Sequence, residues 1–256
     1  MPYFERTSAT SFRPTEHVSG GWNTAEQHIA PPMGLLAHVV EQDRDARRGD
    51  DLRLARLSYD ILGTLPMDVV EVAVEVIRPG RTIELVEARL SHGGRVGLTL
   101  RAWLLDRRDT TAIAGSTLAP IPAAEEMPDW DPTTVWPGGF IASTRARRVR
   151  LAPGDGAYWI DSAVPLLDDE PVGPVARAAR LLDIANGMTG RLDPREVAFP
   201  NLDLTAHLFR DPVGDRMGFN TRVSTGTDGS GLTTSTIHDV DGPFGTVNQI
   251  QTVRPR

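Results

Sequence analysis

The stretch Gly94–Arg101, GRVGLTLR, returns later in the chain as Gly242–Gln249, GPFGTVNQ, and the spacing is the same at both ends: 242 − 94 = 148 and 249 − 101 = 148. Each copy opens on a glycine-marked turn and runs into a strand-like series. Self-similarity at a fixed distance predicts one supersecondary unit used twice. The residues upstream agree with this. Residues 69–78, VVEVAVEVIR, put Val70, Val72, Val74 and Val76 on one face, and Arg78-Pro79-Gly80-Arg81 then turns the chain into a second alternating run from Ile83 to Leu90. Residues 201–208 set Leu202, Leu204, Ala206 and Leu208 against Asn201, Asp203, Thr205 and His207. Alternation of this kind builds antiparallel sheet with one wet face.

Each half also carries a helical segment ahead of its main strands. Pro32 opens a stretch with Met33, Leu35, Leu36, Val39 and Val40, and Pro174 opens Val175–Asn186, with Gly187 placed to stop it. The second segment is apolar nearly all round, interrupted only by Arg177, Arg180 and Asp183, so it is expected to be surrounded. Residues 119–139 hold five prolines, from Pro120 to Pro137, and read as an ordered crossover. The expected organisation is an N-terminal unit over 1–118, a Pro-rich linker over 119–139 and a C-terminal unit over 140–256.

The 256 residues carry a net charge of −7, no cysteine and no lysine; all 27 basic residues are arginine. Thiol nucleophiles, Cys-bound metals, disulfides, Schiff bases and P-loop lysines are thereby excluded. The acidic balance argues against nucleic acid as a partner. No apolar run approaches a membrane span and no leader pattern opens the chain, so a cytoplasmic protein is expected.

The motifs G-x-S-x-G, H-E-x-x-H and strand-borne G-x-G-x-x-G are absent. The six histidines (17, 28, 38, 92, 207 and 238) show no metal spacing and read as structural, so no metal is expected. Asp183 needs an explanation, because an ionised carboxylate within an apolar helix costs several kcal/mol unless partnered. One reading is an i, i+3 pair with Arg180, or exposure. The other is a general base whose polar neighbours come from the adjoining sheet. Asn201 opens a wet strand face and Gln249 interrupts Val247, Ile250 and Val253. These amides either cap sheet edges or converge on Asp183 to hold a water.

With these residues in place, the chain resembles the acyl-CoA thioesterases of the double hotdog type, the thioesterase II-like superfamily. Leu182-Asp183-Ile184-Ala185-Asn186-Gly187 is similar to the family's A-D-x-x-N-G segment. Asn201-Leu202-Asp203-Leu204-Thr205 with Leu208, Arg210, Pro212 and Gly214 is similar to its N-x-D-L-T…L-x-R-x-P-x-G strand. Gly231-Leu232, Asp239–Gly242, Gly245, Gln249 and Arg254 match its closing hairpin.

The resemblance implies an α+β fold, a tandem hotdog in which each half wraps a curved antiparallel sheet around one central α-helix. It implies hydrolysis of an acyl-CoA thioester by water that Asp183 activates, with Asn201 and Gln249 positioning that water and no cofactor. Asn201 departs from the threonine of the best-known members, and an amide cannot relay a proton as a hydroxyl can. Backbone N–H groups near Met33 and Gly34 are the expected oxyanion donors, and Gly34 either lets the thioester approach closely or is a helix-packing position. Arg101 stands at the place of Gln249 in the first half, so one active site per chain is expected. Arg145, Arg147, Arg148 and Arg150, or Arg78 and Arg81, either meet coenzyme A phosphates or form a solvated face. Homo-oligomers through the hotdog sheets and a place in lipid metabolism are further expectations. A non-catalytic acyl-thioester or lipid-binding protein is the alternative. A hydratase fits less well, because that family's helix Asp is followed five positions on by His and here Met188 stands there.

Overall fold

The computed structural model describes residues 1–256. In the first half, β1 (Phe4–Arg6) and β2 (Ser11–Pro14) precede α1 (Ala30–Arg47), which leads to β3 (Arg53–Ile61), β4 (Val70–Arg78), β5 (Ile83–His92) and β6 (Arg95–Leu105). The second half opens with β7 (Asp129–Trp130), α2 (Gly139–Ala142), β8 (Thr144–Ala152) and β9 (Asp155–Ser162). It continues through α3 (Pro174–Ala179), α4 (Ala185–Met188) and β10 (Val197–Ala198) to β11 (Asp203–Leu208), β12 (Met217–Thr225), β13 (Ser230–Asp239), β14 (Gly242–Thr252) and β15 (Arg254–Pro255).

Thirteen strands form one antiparallel sheet in the order β1-β2-β4-β5-β6-β3-β11-β14-β13-β12-β9-β8-β7, while β10 pairs with β15 apart from it. Outward from the β3–β11 seam, β3-β6-β5-β4-β2 is matched on the other side by β11-β14-β13-β12-β9. The repeat read from the sequence is therefore a repeat of topology. Its spacing is one residue shorter than the glycines suggest. Ser58 pairs with Arg101 and Thr205 with Asn248, and both shifts, 205 − 58 and 248 − 101, equal 147. Val72 with Leu90 and Phe219 with Ile237 give 147 again. The glycines mislead because they occupy different places in equivalent hairpins: Gly94 lies within the turn, whereas Gly242 already begins a strand, and both adopt positive φ. Arg101 consequently matches Asn248, and the first-half counterpart of Gln249 is Ala102.

Strand alternation holds where the ladder is regular. Val70 and Val72 are buried and alternate with exposed Glu71 and Ala73, and buried Leu204, Ala206 and Leu208 alternate with half-buried Asp203 and Thr205 and exposed His207. The expected strand over 201–208 begins only at Asp203, and Leu202 is 48 % exposed. The Asp203 carboxylate accepts the Ile250 N–H at 2.7 Å and replaces a ladder bond there.

Helix α1 is continuous, with Pro31 and Pro32 in its first turn, and buries Met33, Leu35, Leu36, Ala37 and Val40. It packs on α3 through Gly34, where a Cβ would lie 2.7 Å from Arg180 Cβ and 3.0 Å from the Ala176 carbonyl oxygen. The second segment is not the single helix expected over 175–186. It breaks into α3, a 3₁₀ turn over Leu182–Ile184, and α4, with Asp183 at φ −80°, ψ 33° outside helical geometry. Backbone in this sparsely populated region turns a side chain away from a regular helix face. No helix is long and apolar enough to cross a membrane.

Candidate active site

Asp183 is 7 % exposed and has no cation beside it. Arg180, its suggested partner, donates instead to the carbonyls of Arg177 (2.8 Å) and Ser162 (3.2 Å). The groups that do reach Asp183 are amides. Asn201 Nδ2 donates to Oδ1 at 2.6 Å and Gln249 Nε2 donates to the same oxygen at 2.8 Å. The helix aspartate, the residue ahead of β11 and the middle of β14 thus converge, although 66 residues separate Asp183 from Gln249. Burial dominates the balance and raises the carboxyl to about 7, against the lowering effect of the two amide donors.

Two further residues complete the network. Asn186 Nδ2 and Gln251 Nε2 each donate to Asn201 Oδ1 at 3.1 Å. With its oxygen held by two donors, Asn201 can only turn its NH₂ toward Asp183. Gln251 also bridges to Asn201 through the backbone, so one strand end supplies both orienting glutamines. The i, i+2 spacing of Gln249 and Gln251 places them on one strand face, a signal present in the sequence. Asn186 lies in the same L-D-I-A-N-G segment as Asp183.

Asp183, Asn186 and Asn201 line a cavity of about 340 Å³ between the two halves, whereas Gln249 stands behind Asp183, off the cavity wall. Ile29, Ile61 and Leu65 from the first half, with Ile141, Ile184 and Met188 from the second, make much of the wall apolar. Trp136 seals one side: its Nε1 donates to the Gly187 carbonyl at 3.2 Å, and a Cβ on Gly187 would lie 2.9 Å from that nitrogen.

Met33 and Gly34 are not on this wall. The Met33 N–H is spent on the Ile29 carbonyl at 3.1 Å, and Gly34 faces α3. Pro31 and Pro32 have no N–H, so with Met33 and Ala30 both bonded the first turn offers no free backbone donor. His28 lines the cavity there, and its Nδ1 accepts the Ala30 N–H at 3.2 Å, which assigns the ring proton to Nε2. Burial lowers His28 to about 3, so the ring is a neutral donor. Sequence reasoning grouped His28 with the structural histidines because its partner elements are remote. The groups Arg145–Arg150 and Arg78–Arg81 do not line the cavity.

The fold is a hotdog fold. A structure from Alicyclobacillus acidocaldarius, described as a conserved protein of unknown function with that fold, superposes with a TM-score of 0.76 at 13 % identity, covering 98 % of this chain and 95 % of the other. The acyl-CoA thioesterase II TesB2 of Mycobacterium marinum superposes with a TM-score of 0.69 at 16 % identity, covering 99 % and 96 %. The family models for the acyl-CoA thioesterase N-terminal and C-terminal domains match residues 18–105 and 115–253. The chain belongs to this thioesterase II-like, acyl-CoA thioesterase family. No curated protein matches the chain.

Proposed function

We propose that the protein hydrolyses acyl-CoA thioesters in a tandem hotdog, with units over 1–118 and 140–256 joined by 119–139, and with one active site centred on Asp183. The observation that carries this reading is the buried Asp183 carboxylate held on one oxygen by two amides at the wall of a largely apolar cavity. Neither amide donates to the second carboxylate oxygen, which is available to a water. The water attacks the thioester carbonyl while its proton passes to Asp183; collapse of the tetrahedral intermediate breaks the C–S bond, and the proton passes to the departing thiolate. Asn201 and Gln249 orient the carboxylate, and His28 Nε2–H stabilises the developing oxyanion. The raised carboxyl is matched to proton transfer near neutrality. No cofactor enters these steps.

Homo-oligomers would use sheet faces: the terminal strands β1 and β7 have 3 and 2 residues, and Tyr3 and Phe4 at the start of β1 already donate to the Pro165 and Leu166 carbonyls. A screen of short, medium, long and aromatic acyl-CoAs for release of free CoA thiol tests the proposal. Turnover is expected on at least one class, rising with pH through about 7 as Asp183 ionises. Asp183→Asn is expected to lower kcat about 10³-fold, and His28→Gln about 10²-fold. Saturable binding of acyl-CoA without hydrolysis would favour the acyl-thioester-binding alternative and overturn the enzymatic reading.

A further inference from the structure

Resting on the thioesterase reading, we infer that Arg95, Arg254 and Arg256 form the site that grips the phosphates of coenzyme A and make this chain select nucleotide-bearing thioesters. Most of the other arginines are already committed to partners within the chain. Seventeen of the 27 hold a carboxylate. Arg78, Arg148, Arg150, Arg180 and Arg191 donate to backbone carbonyls. Five side chains are left with no acceptor, and three of these five stand around the same opening.

Arg254 and Arg256 line the cavity that holds Asp183. Arg95 reaches the rim from the β5–β6 turn: its Nη2 lies 3.5 Å from where a Cβ on the cavity-lining Gly63 would be. Glu26 is the one acidic side chain besides Asp183 on this wall, against the three arginines, so the side chains of the rim are net cationic on a chain of net charge −7. A polyanion repelled by the rest of the surface is attracted here. Guanidinium groups suit the task, because their planar forks match phosphate oxygens.

An aromatic platform accompanies the charges. Trp22 is 39 % exposed on the cavity wall and is fixed edge-on by Trp136 (centroids 4.9 Å apart) and Phe199 (5.1 Å). The Arg256 guanidinium lies 5.5 Å from the Trp22 ring centroid. An exposed indole beside a cation is a stacking surface for a purine. Coenzyme A offers a purine, a pyrophosphate and a 3′-phosphate on one arm. The phosphopantetheine arm of a carrier protein has only one phosphodiester and no purine.

The test compares one acyl group on coenzyme A, on 4′-phosphopantetheine, on pantetheine and on N-acetylcysteamine. The full-length protein is assayed with its Arg95→Gln, Arg254→Gln and Arg256→Gln variants and with Arg81→Gln as control. Wild type is expected to favour CoA over pantetheine in kcat/KM by about 100-fold, and each rim variant to lower that ratio about tenfold through KM, with kcat on CoA retained. Trp22→Ala is expected to lower the CoA to 4′-phosphopantetheine ratio about tenfold. Arg81→Gln changes neither ratio. Equal use of CoA and pantetheine thioesters by wild type, or variants that lower both alike, would overturn the inference while leaving hydrolysis intact. Efficient turnover of an acyl carrier protein that the rim variants abolish, with no CoA preference, would overturn it in favour of a protein carrier. Failure to hydrolyse any of the four substrates is failure of the thioesterase reading. Calorimetric titration with free CoA then still decides the site: binding weakened about tenfold in each rim variant supports it, and unchanged or absent binding overturns it.

Discussion

The two halves place the same backbone around opposite chemistry. In the second half Asn201 bridges Gln251; 147 residues earlier the equivalent pair is Leu54 and Leu104, and the counterpart of Gln249 is Ala102. One half is therefore polar where the other is apolar at three matched positions. The helices differ too. Helix α1 runs unbroken for 18 residues, while the second segment breaks around Asp183. A buried carboxylate exists on the first-half helix as well: burial raises Glu41 to about 7, and its Oε2 has no hydrogen bond. It lines a separate cavity of about 250 Å³ with His38, Arg53, Arg107 and Asp211. A buried carboxylate by itself is therefore not the distinguishing feature. What distinguishes Asp183 is the set of amides that orient it and the apolar cavity it faces.

The largest effect separating the halves is expected in stability. Leu104 is fully buried in an apolar setting, so Leu104→Gln leaves a desolvated amide without partners and costs about 3 kcal/mol. Gln251→Leu at the matched position costs less than about 1 kcal/mol, since Asn186 still donates to Asn201, but lowers kcat about tenfold by loosening the carboxylate's support. Denaturant melts with activity assays separate the two outcomes; equal destabilisation would break the proposed contrast.

A smaller effect concerns pH. Burial raises the Asp183 carboxyl from 3.8 to about 7, so the unfolded chain gives up this proton at lower pH than the folded chain does. Its favourable contribution is whole below about pH 4 and lost as pH climbs to about 7. Asp183→Asn removes this loss. Its Tm is expected to exceed wild type by roughly 5 °C at pH 8 and to converge with it below about pH 4; a variant less stable than wild type at pH 8 would contradict the assignment. The smallest effect belongs to Glu41→Gln. It is expected to raise stability at pH 8 in the same direction yet leave kcat within about twofold, because Glu41 faces the other cavity. A large loss of activity would show that the Glu41 cavity contributes to the chemistry as well.

Much of the architecture was legible in local pattern. The alternation of Val70 and Val72, or of Leu204 and Ala206, specifies a face whatever lies beside the strand. The trio Asp183, Asn201 and Gln249 was legible because each is polar where its neighbours are apolar. The register was not, because turn glycines such as Gly94 and Gly242 report local φ and not cross-strand pairing. The helix break was equally hidden: Val175–Asn186 has the propensity to run on, and its interruption is set by packing and by amides from strands far along the chain.

The sequence by itself determined the repeat, the antiparallel class, the absence of thiol and amine chemistry, and the polar residues at unusual places. Tertiary structure alone decided which amide oxygen accepts from Asn186 and Gln251, that Gln249 supports Asp183 from behind the wall, that His28 and not Met33 or Gly34 reaches the cavity, and that three arginines without acceptors share its rim. The physical reason is separation in the chain. Face and turn preferences act within a few residues, whereas desolvation, hydrogen-bond direction and charge pairing depend on groups that only folding brings together.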